Sequence, residues 1–199
     1  MAYRDFKLED LRAKFGIQIQ QKSLFHDVQS QQPTELLLQI LAHNHSNSVL
    51  RSEKVFSEAI IFPILMEIQA RNNSKIAFFS GEKINAKKEQ KLNGQIDFLF
   101  CKNTMIYEVV VPIILSIHQA QTKGAIEKSF NQTIAQMIGT QAFNLKNNIS
   151  IPVFGIVTNG VEWRILQLQN TELIIDPKRF DTFSLPELLG VLQFIIDSY

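Results

Sequence analysis

The sequence predicts a mixed α/β fold, a central sheet flanked by helices, and three observations carry that expectation. Apolar residues recur at helical spacing over residues 52–71 and 125–143, short β-rich runs lie between and after them, and Thr158-Asn159-Gly160 joins two such runs as a hairpin turn would. A chain of 199 residues can bury one sizeable core, so the expected organisation is an N-terminal helical extension over 1–50 packed on a single domain over 51–199.

Taken in order, Leu8, Leu11 and Phe15 share one face of a helix over 7–15, and Gly16 stops it. Pro33 suits the first turn of a second helix carrying residues 36–42, which the polar run His43-Asn44-His45-Ser46-Asn47-Ser48 is expected to break as a linker. The longest expected helix runs over 52–71, with Ile61, Leu65 and Ile68 toward the core, a kink at Pro63 and Asn72-Asn73 at its end. Strands are expected at 76–79, 94–100 and 112–120, the first two joined by a lysine-rich connection. The third is apolar on both faces, as befits the middle of a sheet. A helix over 125–143 presents Ile126, Phe130, Ile134, Met137 and Ile138, and strands at 151–157 and 161–168 flank Asn159-Gly160. Ser184-Leu185-Pro186-Glu187 has the spacing of a capping box, after which Leu188, Leu189, Leu192, Ile195 and Ile196 mark a C-terminal helix.

Composition narrows the function. Twenty basic residues against nineteen acidic ones leave a net charge of +1, so no global field draws the protein to nucleic acid or to an anionic membrane, and any such face must be local. A single cysteine, Cys101, excludes an intramolecular disulfide and a multi-cysteine zinc site. No apolar run is long and charge-free enough to span a membrane, and the charged N-terminal sequence lacks the apolar segment of a secretory signal. A reduced, cytoplasmic protein is the expectation.

Two carboxylates stand where charge is costly. Glu58 precedes Ile61 by about one helical turn and Leu65 by about two, which sets it on the core-facing side, where a carboxylate needs a partner or a task. Asp97 interrupts the apolar series Ile96, Phe98, Leu99 and Phe100 on an interior strand. From the residues alone, Glu58 is either functional or a helix-edge acid paired with a nearby lysine, and Asp97 either functional or a strand-end residue.

A resemblance bears on that choice. The run from Arg51 through Glu58 and Pro63 to Leu65 resembles the first core helix of a bacterial group of PD-(D/E)XK nuclease-like proteins, with the helix acid at Glu58. Phe79-Ser80-Gly81 and Leu92-Asn93-Gly94-Gln95-Ile96-Asp97-Phe98 are similar to that group's hairpin, whose aspartate binds metal and falls here on Asp97. The sequence from Gly155 through Thr158-Asn159-Gly160 and Trp163 to Leu166 resembles the T-N-G-x-x-W hairpin of the same group and of type I restriction nuclease domains. The resemblance covers residues 51–168 and implies a restriction-endonuclease-like core.

The departure lies in the third strand, where the group carries Glu-x-Lys and this sequence reads Gln119-Ala120-Gln121 after Pro112. The following helix matches through Ile126-Glu127-Lys128-Ser129-Phe130-Asn131-Gln132, with the group's glutamine at Gln132. A register with the acid at Glu108 would put Val110 in the lysine's place and Pro112 inside the motif. In such sites two acids hold a hard divalent cation through oxygen, and the lysine orients or activates the attacking water. Glutamine offers a neutral carbonyl and no ammonium group. The resemblance therefore implies a catalytically impaired or inactive nuclease-like protein with at most weak Mg²⁺ binding at Asp97 and Glu58, retaining affinity for nucleic acid or a protein partner. The alternative is an active Mg²⁺-dependent endonuclease with a rearranged site that uses Glu58, Asp97 and a further residue such as His118 or Glu108. A third is a purely structural or assembly protein.

Other residues carry less. His118 alternates to the strand face opposite Gln119 and Gln121, His43 and His45 lack ligand spacing, and Cys101 has no recognisable nucleophilic partner. Lys83, Lys87, Lys88 and Lys91, interspersed with Glu82 and Glu89, form either a solvated hairpin or a phosphate-contacting patch. Trp163 is expected in the core and Arg164 exposed, while Gln136, one turn beyond Gln132, either lines the cleft or belongs to a polar helix face.

Overall fold

A strand buried along its whole length needs cover on both faces, and Val153–Thr158 (β5) is such a strand. Phe154 and Ile156 enter one apolar cluster, and Val153 and Val157 enter another on the opposite side. In this computed structural model, which describes residues 3–46, 53–87, 92–102, 113–119 and 126–199, that division organises the protein. The first cluster lies under Glu35–Ser46 (α2), Glu53–Phe56 (α3), Phe62–Arg71 (α4) and Leu185–Asp197 (α6), and the second under the 3₁₀ turn Tyr3–Asp5, Leu8–Phe15 (α1) and Ile126–Lys146 (α5).

Between them lies a mixed sheet of eight strands among the described residues. The strands are Gln18–Gln21 (β1), Ile76–Lys87 (β2), Leu92–Lys102 (β3), Ile113–Gln119 (β4), β5, Glu162–Gln169 (β6), Glu172–Ile175 (β7) and Phe180–Asp181 (β8). Their order is β1-β7-β6-β5-β4-β3-β2, with β8 also on β6. The pairs β1–β7 and β4–β5 are parallel and the others antiparallel. Parallel neighbours need a crossover, and α5 lies between β4 and β5 in sequence and packs on both. The mixed α/β class with a sheet flanked by helices is thus present.

Local chemistry explains the element ends. Gly16 takes φ +67°, and its N–H returns to the Arg12 carbonyl at 2.9 Å to close α1. Pro63 has no N–H for the carbonyl of Ala59, four residues earlier; that carbonyl instead accepts Asn44 Nδ2 at 2.7 Å. The same bond lengthens α2. The polar run expected to break the second helix continues it, so that His43, Asn44 and His45 form the last turns of α2 and not a linker, held by a tertiary contact that outweighs their weak propensity.

Other boundaries also differ from expectation. Lys83 and Lys87 belong to β2, because the β2–β3 ladder runs from Ile76↔Lys102 out to Lys87↔Leu92; Lys88 and Lys91 lie outside the described residues. Helix α5 extends to Lys146, making it longer than either helix of the 53–71 run. Ser184 precedes α6 without a side-chain cap, and the expected capping box is not formed: the backbone N–H of Ser184 goes to Asp181 Oδ1 at 2.8 Å, while Glu187 pairs with Lys178. The N-terminal extension is not helical only. Its β1 adds a parallel edge strand to β7, and Tyr3, Phe6, Leu11 and Ile17 help build the second cluster. Asp176, 1 % exposed, ties this segment down by accepting the N–H of Leu24 at 2.7 Å.

Candidate functional site

Glu58 does not face the core. Residues Ser57–Ile61 form a π-helical segment between α3 and α4, in which the Phe62 N–H reaches back five residues to the Ser57 carbonyl. A wider turn advances each residue by less than the α-helical step, so Ile60, Ile61, Ile64, Leu65 and Ile68 remain buried while Glu58 rotates outward. Its side chain is 66 % exposed and forms an i,i+4 ion pair with Lys54 at 3.8 Å. The π-turn precedes Pro63, whose missing donor already weakens the α-helical ladder there.

Asp97 is half-buried on β3 at a change of face. Strict alternation would set Ile96 and Phe98 together on the face opposite Asp97; instead Ile96 lies in the second cluster and Phe98 in the first. The register pairs Ser80 with Phe98 and Glu82 with Ile96, so Gly81 stands opposite Asp97. Gly81 takes φ +73°, a left-handed conformation that glycine adopts without the strain of a Cβ, and its carbonyl accepts Gln95 Nε2 at 3.1 Å. Gly81 and Asp97 both border the space beside the helix that carries Glu58.

A cavity of about 700 Å³ results, lined by Lys54, Ser57, Glu58, Phe62, Ser80, Gly81, Gln95, Asp97 and Phe98. It brings Glu58 and Asp97 to one space, with a lysine that sequence reasoning did not single out. Lys54 sits one turn before Glu58, and that spacing was the signal available. Strand β4 runs beside β3 with Ile117 opposite Phe98. Beyond Ile117, β4 continues along β5, with His118 opposite Val157 and Gln119, its last residue, opposite Thr158. Gln121 and Glu108 lie outside the described residues.

On α5, Gln132 is half-buried and Gln136 fully buried, its Nε2 donating to the Gln95 carbonyl at 3.2 Å. Gln136 therefore supports the backbone of β3 beside the cavity from the opposite side of the sheet. Glu58 and Asp97 are the two carboxylates among the residues that line the cavity. Among the described residues no group of three or more histidine, cysteine or acidic side chains stands together.

The remaining candidates fall into place around the fold. Trp163 is fully buried, with Nε1 donating to Thr182 Oγ1 at 3.0 Å. Arg164 is not exposed as expected: its side chain is 12 % accessible and stacks over Phe130 with 5.4 Å from guanidinium to ring centroid. Cys101 is buried, and burial, with a smaller contribution from the Glu82 charge, pushes its thiol up to about 12, so it is protonated and unreactive at neutral pH.

No protein-family model matches the sequence, and no curated protein matches it. No helix among the described residues is long and apolar enough to cross a membrane.

Proposed function

We propose that this chain is a PD-(D/E)XK nuclease-like protein with a restriction-endonuclease-like core, whose catalytic centre has lost its strand acid and lysine and which retains affinity for nucleic acid or a protein partner. The observation that carries the reading is the cavity shared by Glu58 and Asp97. Two residues 39 positions apart, singled out for one chemistry by sequence, line one space.

The order of elements supports it as well: a helix with its acid, the β2–β3 hairpin, β4, α5 and the closing β5–β6 hairpin follow one another as the resemblance implies. Glu58 and Asp97 would hold a hydrated Mg²⁺, which when bound supplies charge stabilisation and a more acidic water for phosphodiester cleavage. The chain's own residues then fall short. Gln119 contributes at most a neutral oxygen, and Gln121 cannot present an ammonium group to the attacking water.

Lys54 favours a second reading, an active endonuclease with a rearranged site, because it lines the cavity from the helix side. Incubating the purified protein with plasmid and linear DNA in Mg²⁺ or Mn²⁺ separates the two. The first reading expects no cutting above a buffer control. Metal-dependent cutting lost in both Asp97→Ala and Lys54→Ala would overturn it in favour of the second.

A further inference from the structure

The Glu58–Asp97 cavity has a wall that its carboxylates do not explain. Its volume of about 700 Å³ lies within the ~300–1,000 Å³ range of small-molecule pockets. Two aromatic rings line it, Phe62 and Phe98. Phe98 is buried, but Phe62 stays 38 % exposed, although a large apolar side chain gains by leaving water. Phe62 is also held in place: its ring lies 5.8 Å from that of Phe78, which stacks on Phe98 at 5.9 Å and 16°. A fixed ring open to a cavity is a stacking platform.

The other lining groups suit a ligand with polar edges. Ser57 and Ser80 bring two hydroxyls, and Gln95 brings an amide whose Nε2 donates to the Gly81 carbonyl at 3.1 Å, leaving its oxygen to accept. Glu58 and Asp97 disfavour an anionic group among them. Lys54, 82 % exposed, is the cation of the wall and stands toward solvent. An uncharged planar ring with hydrogen-bonding edges, joined to an anion that stays outside, describes a nucleotide whose base enters and whose phosphate does not.

We infer that the cavity takes one unpaired nucleotide of a single-stranded nucleic acid, its base stacked on Phe62, with Ser57, Ser80 and Gln95 at the base edge and the flanking phosphate near Lys54. This binding mode rests on the affinity for nucleic acid proposed above and gives that affinity a class. A base paired and stacked within a duplex cannot reach a ring inside a cavity, so a duplex forgoes the contact unless the base is extruded. Stacking on an aromatic side chain is tolerant of sequence, because every base has a π-face.

Fluorescence anisotropy of the full chain with labelled single strands of DNA and of RNA, and with the DNA duplex of the same sequence, tests it. At least one single strand binds about tenfold or more tightly than the duplex. Phe62→Leu, which keeps an apolar side chain against Phe78 but removes the ring, weakens that strand about tenfold and leaves the duplex unchanged, while Phe62→Tyr retains the affinity. A duplex bound as tightly as both single strands, or a Phe62→Leu protein that holds the single strand as well as the unmodified one, overturns the inference and spares the nuclease-like reading. Binding of no nucleic acid at all overturns the inference together with the nucleic-acid affinity of that reading.

Discussion

The closing hairpin and the helix turn that carries Glu58 pack against each other, yet they are built on opposite terms. In the hairpin, every element of the T-N-G-x-x-W pattern has structural work. Thr158 Oγ1 accepts the Gly160 N–H at 3.0 Å, Asn159 Oδ1 accepts those of Val161 and Glu162 at 3.0 and 2.8 Å, and Trp163 reaches Thr182. Across from it, Glu58 has a loose ion pair at the surface and a widened turn beneath it. The turn at Gly160 lies against Phe56, so the rigid hairpin backs the helix that holds Glu58. The contrast teaches that this motif secures the scaffold, whereas the helix acid contributes little to folding and is available for chemistry.

Substitutions should separate the two regions by their cost. Trp163→Ala removes a fully buried ring and leaves Thr182 without its donor, and should cost about 3–5 kcal/mol in urea unfolding; a loss below about 1 kcal/mol would break the comparison. Gly160→Ala forces a Cβ into φ +86° and to 3.1 Å from Phe56, and should cost about 1–3 kcal/mol by the same measurement. Asn44→Ala strips the Ala59 carbonyl of its donor beside the π-turn, at about 1–2 kcal/mol. Glu58→Gln should stay within about 0.5 kcal/mol of the unmodified protein, because the group is exposed and its ion pair screened.

A pH experiment sharpens the same division at the far end of α4. Burial would raise the Glu67 carboxyl, but hydrogen bonds from Thr34 and Arg71 and the Arg71 charge outweigh it and hold the group below its ordinary value. A depressed folded-state value means that its stabilisation is complete above about pH 4.5, the ordinary glutamate value, and is lost as pH falls through the lower folded value. Acid titration of stability should therefore be shallower below pH 4.5 in Glu67→Gln than in the unmodified protein. An unchanged acid limb would mean that Thr34 and Arg71 do not hold the carboxylate in solution.

Much of the architecture was legible in the sequence because local signals and tertiary packing agreed. Leu11 and Gly16 marked α1, Asn159-Gly160 marked the hairpin, and the two-sided apolarity of 112–120 foretold a strand with neighbours on both edges. What could not be read depended on distant partners. Polar residues continued α2 because Asn44 finds Ala59, and β1 formed from an unremarkable Gln18-Ile19-Gln20-Gln21 because β7 offered it an edge. At the site, their places in apolar series together with the resemblance singled out Glu58 and Asp97 as candidates, but a uniform helical period pointed Glu58 inward, and only the π-turn turns it out. A lysine paired with Glu58 was one of the two readings, but it was not placed at Lys54 because one-turn spacing is common on solvated helix faces, and Arg164 was expected exposed because strand alternation does not reveal that Phe130 of α5 covers it.

The central claim is that a cavity with Glu58 and Asp97 has kept its shape while the strand motif lost its chemistry. Restoring the motif with Gln119→Glu and Gln121→Lys together, and assaying Mn²⁺-dependent DNA cleavage beside each single variant, tests that claim most directly. The account predicts cutting by the double variant alone, since the acid without the lysine adds negative charge and the lysine without the acid leaves the metal poorly held. A folded double variant that binds no Mn²⁺ and cuts nothing would contradict it.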